Sequence, residues 1–368
     1  MRVLVPVQTE DVHAKAVRRA LRSKGHEAVL LYGSDYPTRQ QASIFITQEA
    51  GLHWTLSDSA LSLSDERFDA VWCRRPTAPV LPLSMHPGDR EIAFRECSAF
   101  TKAFWALVAP NAFWVNPINA RDRAASKPVQ LFEAIKSGLT IPDTLCSNDP
   151  CEIRRFLCGC RGETIYKGFY PALWHRKDGA SILYTSEIGP DDLPDDEVLR
   201  LAPGIFQKRI DKSYELRATF MGGYACSAKL LSQQHPEARI DWRSAGKEVE
   251  VVYEELPDEI YVACRTMMSR LGIVFGCFDF AVTPQGQHVF LEVNEMGQFL
   301  WLEELNPDLL LLESFCQFLI QGRLDRDWRP SGKIACFGEF SYDCSSEEEE
   351  EKLHVPTPDY FSVSDCEN

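Results

Sequence analysis

The run from Phe278 to Asn294 constrains this chain more than any other stretch. It reads as two strands joined by a short turn: both arms are rich in Phe, Val and Leu, and Pro284 and Gly286 mark the break. With Pro284 to Gln287 as the turn, Thr283 pairs with His288. Asp279 then falls directly opposite Glu292, and Asn294 lies two residues on along the same face. Like charges facing each other across a ladder are destabilising, and apolar neighbours raise the cost. A divalent cation reverses the sign. Oxygen-bearing side chains on one rigid face suit Mg2+, which takes a few carboxylates together with phosphate oxygens. A buried strand pair with unconnected acids on its solvent face fits the hairpin equally well, so the rest of the chain has to decide.

The 368 residues suffice for two or three packed units. Apolar content of 45% and charged content of 25% are those of an ordinary soluble globular protein. No run of about 18 apolar residues occurs, so no membrane span is expected. Met1 to Gln8 is too short and soon too polar for a signal peptide, and reads as a first strand. The net charge of −15 argues against broad nucleic-acid binding. Much of it is local: residues 187–197 carry six acids, and Glu347 to Glu351 are five glutamates in a row. The 13 cysteines lack His partners at zinc spacing. An odd count without a signal sequence predicts reduced thiols in a cytoplasmic protein, mostly buried as small apolar groups.

In chain order, residues 2–7 form a strand, Thr9 or Asp11 caps a helix with Val12, Ala16, Val17, Ala20 and Leu21 on its apolar face, and residues 28–32 form the next strand. This β-α-β opening predicts a doubly wound α/β unit without a glycine-rich phosphate loop. Another strand, 68–76, ends in Arg74 and Arg75, which suit either a bound carboxylate or phosphate, or a structural ion pair or solvated edge. Residues 89–108 read as a helix with Phe94, Phe100, Phe104 and Trp105 on one face, and a boundary falls near residue 117. A small α+β unit follows over 118–202, with Lys127 before a helix and Lys167 inside an apolar strand, where a lysine is costly unless it meets an anion. A strand is expected over 181–186. A third unit, 203–330, opens with a strand through Gln207, Lys208, Arg209 and Ile210. In residues 214–221 Glu215, Arg217 and Thr219 share a face, and Gly222-Gly223 turns the hairpin. Helix 258–271 ends at Gly272, its methionines being core filler, and a very apolar helix is expected from Asn306-Pro307 through Ile320. Residues 331–368 read as an acidic, flexible tail.

This order of lysine, lysine, hinge, Glu-x-Arg strand, acid and Glu-x-Asn resembles the ATP-grasp superfamily of carboxylate–amine ligases over roughly residues 1–322. Within it the chain resembles the microviridin-type or graspetide macrocyclases. The strings that carry this are Asp35 to Thr38, Val71 to Pro76, Tyr214 to Arg217, Asp241-Trp242-Arg243, and Phe290 to Asn294 followed by Gly297 to Trp301. The resemblance implies an ATP-grasp fold: a doubly wound N-terminal pre-ATP-grasp domain (1–117), and central (118–202) and C-terminal (203–330) α+β domains clamping ATP. It implies that Lys127 and Lys167 bind ATP phosphates, that Gln207, Lys208, Arg209 and Ile210 lie along adenine through backbone groups, and that Glu215 holds the ribose. Asp279, Glu292 and Asn294 would hold Mg2+, as two ions, and Arg217 and Arg243 would face the γ-phosphate and acyl phosphate. The hinge departs from the family in carrying Lys208 where an acid is common.

The implied reaction is ATP-dependent activation of Asp or Glu side chains of a ribosomal precursor peptide, leader plus core, as acyl phosphates. Thr, Ser or Lys of the same peptide then closes an ester or amide ring. A homodimer is expected from the resemblance alone, and neither a nucleic-acid nor a membrane partner is expected. The alternatives are a glutathione-synthetase-like ligase of small substrates, told apart by intermolecular mass gain in place of water loss, and a catalytically silent ATP-binding scaffold, told apart by ADP release.

Overall fold

The computed structural model describes residues 1–368 except 60, 171–172, 177–178, 183–184, 245, 342–350, 358–361 and 365–368. The chain opens with β1 (Arg2–Val7), α1 (Val12–Ser23) and β2 (Glu27–Tyr32), then a hairpin sheet of β3 (Gln41–Thr47), β4 (Gly51–Ser57) and β5 (Ser62–Ser64). Next come β6 (Ala70–Trp72), α2 (Pro87–Leu107) and β7 (Phe113–Val115). Strands β2-β1-β6-β7 form one all-parallel sheet. Its alternation is direct: Val3, Val5 and Val7 face α1, while Leu4, Val29 and Leu31 face the hairpin's Trp54 and Leu56 and α2's Phe104 and Trp105. Asp11 caps α1 by accepting the Ala14 N–H at 2.9 Å. Two residues expected on apolar faces lie outside: Val12 (45% exposed), at the first position of α1, and Phe94 (40%), a turn and a half from the packed end of α2. The expected strand 68–76 narrows to β6, although the Arg74 N–H still donates to the Pro6 carbonyl of β1 (3.2 Å). β3–β5 and β7 were not anticipated.

The central unit contains α3 (Ile118–Ala124), α4 (Lys127–Lys136), β8 (Thr144–Ser147), α5 (Pro150–Gly159) and β9 (Thr164–Lys167). It continues through β10 (Leu173–Arg176), β11 (Gly179–Ile182), β12 (Ser186–Glu187), α6 (Asp196–Leu199) and β13 (Gly204–Lys208). The sheet order is β12-β9-β13-β8, so the strand expected to open the third unit at residue 203 pairs instead with β8 and β9 of the central sheet. Phe206, Leu145 and Tyr166 pack on α5 through Ile153 and Leu157. The expected strand 181–186 is divided between β11 and β12, and its middle, 183–184, lies outside the described residues.

The remaining elements are β14 (Tyr214–Met221), β15 (Tyr224–Leu230), β16 (Val251–Tyr253), α7 (Asp258–Leu271), β17 (Phe275–Val282) and β18 (His288–Asn294). After these come α8 (Leu300–Leu305), α9 (Leu311–Gln321), α10 (Phe337–Phe340) and β19 (Ser362–Ser364), which pairs with β10. The sheet order β16-β15-β14-β17-β18 is antiparallel throughout. One face, with Leu216, Phe220, Phe278 and Phe280, packs on α7 and α4. Gly272 ends α7 in the left-handed region, φ 78°. The helix expected from Asn306 begins later, at Leu311, after a separate 3-10 turn and a left-handed Leu310.

Among the described residues no helix is long and apolar enough to cross a membrane. The eleven described cysteines are all unpaired. Only Cys73, Cys226, Cys264, Cys277 and Cys316 are buried, so the expectation of mostly buried thiols fails at α5 and its neighbours, where Cys146, Cys151 and Cys158 are exposed. The tail is anchored. Buried Glu303 and Glu313 accept the N–H groups of Phe337 (2.6 Å) and Ala335 (2.8 Å). Further on, Asp35 accepts from Val355 N–H (2.7 Å) and bonds His354 (2.6 Å), Glu351 pairs with Lys15, and Thr9 and Thr357 exchange hydrogen bonds at 3.1 Å.

Candidate active site

The second face of the five-stranded sheet is polar at one end. Glu215 and Arg217 project from β14, Asp279 from β17, and Glu292 and Asn294 from β18. Strand alternation places them there while Leu216, Ala218 and Phe278 enter the core. Asp279 does lie opposite Glu292, but not by the expected turn. His288 pairs with Val282 rather than Thr283, whose N–H bonds Gln287 across a tighter turn. A bulge between Asp279 and Phe280 then takes up one residue of β18, Leu291, and restores the alignment of the acids.

Four cations surround this acid pair. Arg217 Nη1 donates to both Asp279 oxygens at 2.7 and 2.8 Å. Arg243 Nη2 reaches Glu292 at 3.4 Å, and Lys127 Nζ stands 4.0 Å from it. Lys167 feels the charges of Glu292, Lys127 and Arg243. Burial pushes the Asp279 carboxyl up, with Glu292 adding to it and Arg217 opposing. Burial also acts to raise Glu292, but Arg243, Lys127 and Lys167 together hold it below the usual range. Burial lowers Lys167, helped by Lys127 and Arg243. One acid thus sits in a cationic ring that is not yet neutralised.

The candidate donor set is all oxygen, and both Asp279 oxygens already accept from Arg217. Among the described residues no cluster of three or more His, Cys, Asp or Glu is placed to hold a metal. The acids here are a pair, with the Asn294 amide oxygen, already accepting from Gly297 N–H at 2.8 Å, on the same face. An all-oxygen set of low ligand count fits Mg2+ sharing its shell with phosphate, and fits zinc poorly.

The expected hinge divides. Gln207 is buried and shares a sheet face with Lys167, since Gln207 pairs with Ile165 and Lys167 with Ile205. Its Nε2 donates to Thr144 Oγ1 (2.9 Å), leaving Oε1 buried without a partner. Lys208 is exposed, Arg209 turns to Glu187 and Asp211, and the N–H groups of Lys208 and Arg209 are taken by the Asp143 and Glu163 carbonyls. The backbone donors expected to serve a ligand are therefore partly committed, and Ile210 follows them half-buried. Glu215 accepts from Lys212 (2.7 Å) and Ser232 (3.2 Å), and burial raises its carboxyl despite Lys212.

Several supporting residues carried no role in the sequence reading. Gln130, one turn along α4 from Lys127, binds Val293 as a neighbouring strand would: Oε1 accepts its N–H (2.9 Å) and Nε2 donates to its carbonyl (2.9 Å). With the Thr140 carbonyl accepting from Phe290 N–H (2.8 Å), it closes the open edge of β18. Buried Asn116 joins Val274 and Phe275 to the Glu295 carbonyl. Arg74 is the structural arginine of the two readings. It pairs with Asp11 and donates to the Met296 (2.9 Å) and Gly297 carbonyls. Gly297 is left-handed (φ 64°), and a Cβ there would stand 2.5 Å from the Phe275 ring. A polar residue inside an apolar helical stripe was the available signal for Gln130; nothing local marked Asn116.

Comparisons with known proteins bear on this arrangement. A family model, the MvdD pre-ATP grasp domain, matches residues 2–122. The macrocyclase MdnB from Microcystis aeruginosa MRC is 30% identical, covering 87% of this chain and 99% of its own at a TM-score of 0.73. Macrocyclase MdnC from the same organism, bound with precursor peptide MdnA, is 26% identical over 87% and 100%, TM-score 0.76. A Chryseobacterium gregarium RiPP-associated ATP-grasp ligase, in complex with ADP and a leader and core peptide, is 25% identical over 90% and 99%, TM-score 0.79. No curated protein matches the chain.

Proposed function

The chain belongs to the microviridin-type (graspetide) ATP-grasp ligases, and from that premise we propose that it closes ester or amide rings in a ribosomal precursor peptide, using ATP and forming ADP. The observation that carries the reading is the facing pair Asp279 and Glu292, ringed by Lys127, Lys167, Arg217 and Arg243. Likeness to a ligase holding ADP, leader and core peptide supports the same substrates here.

Lys127 and Lys167 hold phosphate oxygens of the nucleotide, which supply the anion that a half-buried lysine requires. The unpartnered Gln207 Oε1 accepts from the adenine amino group, and Glu215 accepts from ribose hydroxyls. Asp279, Glu292 and Asn294 would hold Mg2+, which would neutralise phosphate charge. A peptide Asp or Glu carboxylate attacks the γ-phosphorus. The bond to the β-phosphate oxygen breaks, and ADP leaves with that electron pair. Arg217 and Arg243 neutralise charge on the transferring group and on the acyl phosphate. A Thr or Ser hydroxyl, or a Lys amine, of the same peptide then attacks the acyl carbon, expels phosphate and loses its proton. Positioning accounts for the rate, and no enzyme nucleophile is needed.

Two finer points go with the proposal. Exposed Ile46 and Leu52, paired across β3 and β4, support self-association into a homodimer, which light scattering of the purified protein tests. The unpaired cysteines support a cytoplasmic setting. The central test is mass spectrometry of a precursor encoded beside the gene. Loss of one water per ring, dependent on ATP and Mg2+, is expected. Ring closure that persists without ATP, or a mass gain from a second small molecule, refutes the reading.

A further inference from the structure

We propose that the stacked indoles of Trp242 and Trp301 are positioning residues that hold Arg243 and Arg217 at a fixed spacing across the acid pair. The inference rests on the proposed nucleotide site and adds a role to residues outside it.

The two rings stack at 4.4 Å between centroids and 20° between planes. Each is also in contact with one arginine of the site. The Arg243 guanidinium lies 5.4 Å from the Trp242 ring centre, and that of Arg217 lies 5.9 Å from the Trp301 ring centre. A second link runs through the backbone. The Gln298 carbonyl accepts from Trp301 Nε1 and from Arg217 Nη2, both at 2.8 Å. Arg217 is therefore oriented by Asp279 on one side and by the Trp301 anchor on the other.

Arg243 has far less to hold it. It sits on a 3-10 turn (Trp242–Ser244) outside every sheet, in a segment fastened at its start by the Lys212 bond to the Ile240 carbonyl (3.0 Å). Asp241, buried, accepts from Arg243 N–H and Nη1, both at 3.1 Å, which fixes the arginine relative to its own turn and not to the sheet. The contact with Glu292, at 3.4 Å, is long for a charge-assisted bond. Stacking of Trp242 on α8's Trp301 ties the turn itself, beyond the Lys212 link that joins its start to Glu215. A rigid aromatic bracket suits the task, because indoles lose little rotamer freedom on packing.

The test uses the affinity difference between a non-hydrolysable ATP analogue and ADP, both with Mg2+, measured by calorimetry on the full chain. That ratio isolates the γ-phosphate contact and needs no peptide. Wild type is expected to favour the ATP analogue, and Arg243→Ala to lose that preference. Trp242→Ala is expected to lower the ratio about tenfold, the order of a desolvated cation–π contact, with ADP affinity unchanged. Adding it to Arg243→Ala should cause no further loss, since both remove one interaction. Trp242→Phe keeps a ring on Trp301 and should retain the ratio, while the exciton band of stacked indoles disappears from the circular dichroism spectrum. A ratio near one in wild type overturns the nucleotide site itself. A normal wild-type ratio that survives in Trp242→Ala, or additive losses in the double variant, overturns the bracket alone. Thermal melting of each variant, matched to wild type, separates these outcomes from misfolding. Should Trp242→Ala not fold, Trp242→Leu, read against Trp242→Phe, decides in the same terms.

Discussion

Replacing Gln130 with Met tests whether the edge of β18 is held in place by a side chain. Met keeps the volume and the apolar stem but removes three hydrogen bonds, to Val293 N–H (2.9 Å), Val293 C=O (2.9 Å) and Ala124 C=O (2.6 Å). Gln130 is only 3% exposed, so water cannot readily replace it. At about 1 kcal/mol net for each bond, with buried groups left unpaired, the expected loss is about 3 kcal/mol. An unfolding entropy of about 2 cal/mol/K per residue gives about 0.8 kcal/mol/K for a chain of this length, and hence a melting temperature lower by about 4 °C if it unfolds as one unit. The functional effect follows from place: Val293 lies between Glu292 and Asn294, and Gln130 shares α4 with Lys127. Loosening that tie is expected to weaken Mg2+-nucleotide binding several-fold. Gln130→Glu, which sets a carboxylate against two carbonyl oxygens, should be worse. Differential scanning calorimetry and nucleotide titration check both. A Gln130→Met protein that melts within about 1 °C of wild type, with unchanged nucleotide affinity, would refute the reasoning.

The other predictions are briefer. His13 is buried, is pressed down to about 3 by burial and by Arg74, and has no partner for Nδ1. Its unfolded value is higher, so its share of stability is full above about pH 6.5 and falls by up to about 1.4 kcal/mol per unit as pH drops toward about 3. His13→Gln should flatten that dependence in urea melts at pH 7 and 5, and a parallel loss in both proteins would count against it. Arg74→Met leaves buried Asp11 with only the Arg75 guanidinium at 3.9 Å, and is expected to cost about 3 kcal/mol by chemical denaturation. Lys167→Met, which removes a half-buried cation, should leave the nucleotide-free protein as stable as wild type or more so while abolishing the benefit of added ATP in a thermal shift; an unchanged ATP response argues against its role. Truncation after residue 341 removes the partners of Thr9 and Asp35, and hydrogen exchange at residues 33–36 should accelerate.

Much of the fold was legible because its signals are local. Alternation in Tyr214–Met221 and helical spacing in Asp258–Leu271 depend only on neighbours in sequence, and each gave the strand or helix within its observed bounds. The acid pair was legible for the same reason, through a wrong turn register that the bulge at Leu291 offset. The hairpin β3–β4 was missed although Leu52, Trp54 and Leu56 alternate with polar residues along β4 and Trp54 and Leu56 are buried; in β3 the consecutive Ile44, Phe45 and Ile46 blur that period. Gln130 and Asn116 escaped because each acts on backbone groups far along the chain, where no spacing rule reaches; the same holds for the backbone partners of Arg74, though its ion pair was among the readings. The bend of Arg209 away from the sheet likewise depends on Glu187, more than twenty residues earlier.

The pairing of Val282 with His288 and the one extra residue at Leu291 together set Asp279 against Glu292. The loop at 284–287 can therefore be rebuilt with any connection that keeps that first pairing without disturbing the chemistry. Deleting Leu291 would only straighten the strand: Phe290 would still face Phe280 and Glu292 would still face Asp279, with the local kink and added twist of the bulge removed. What the acid pair does not tolerate is a one-residue slip of the Val282–His288 pairing with the bulge kept, which would turn Glu292 to the apolar face.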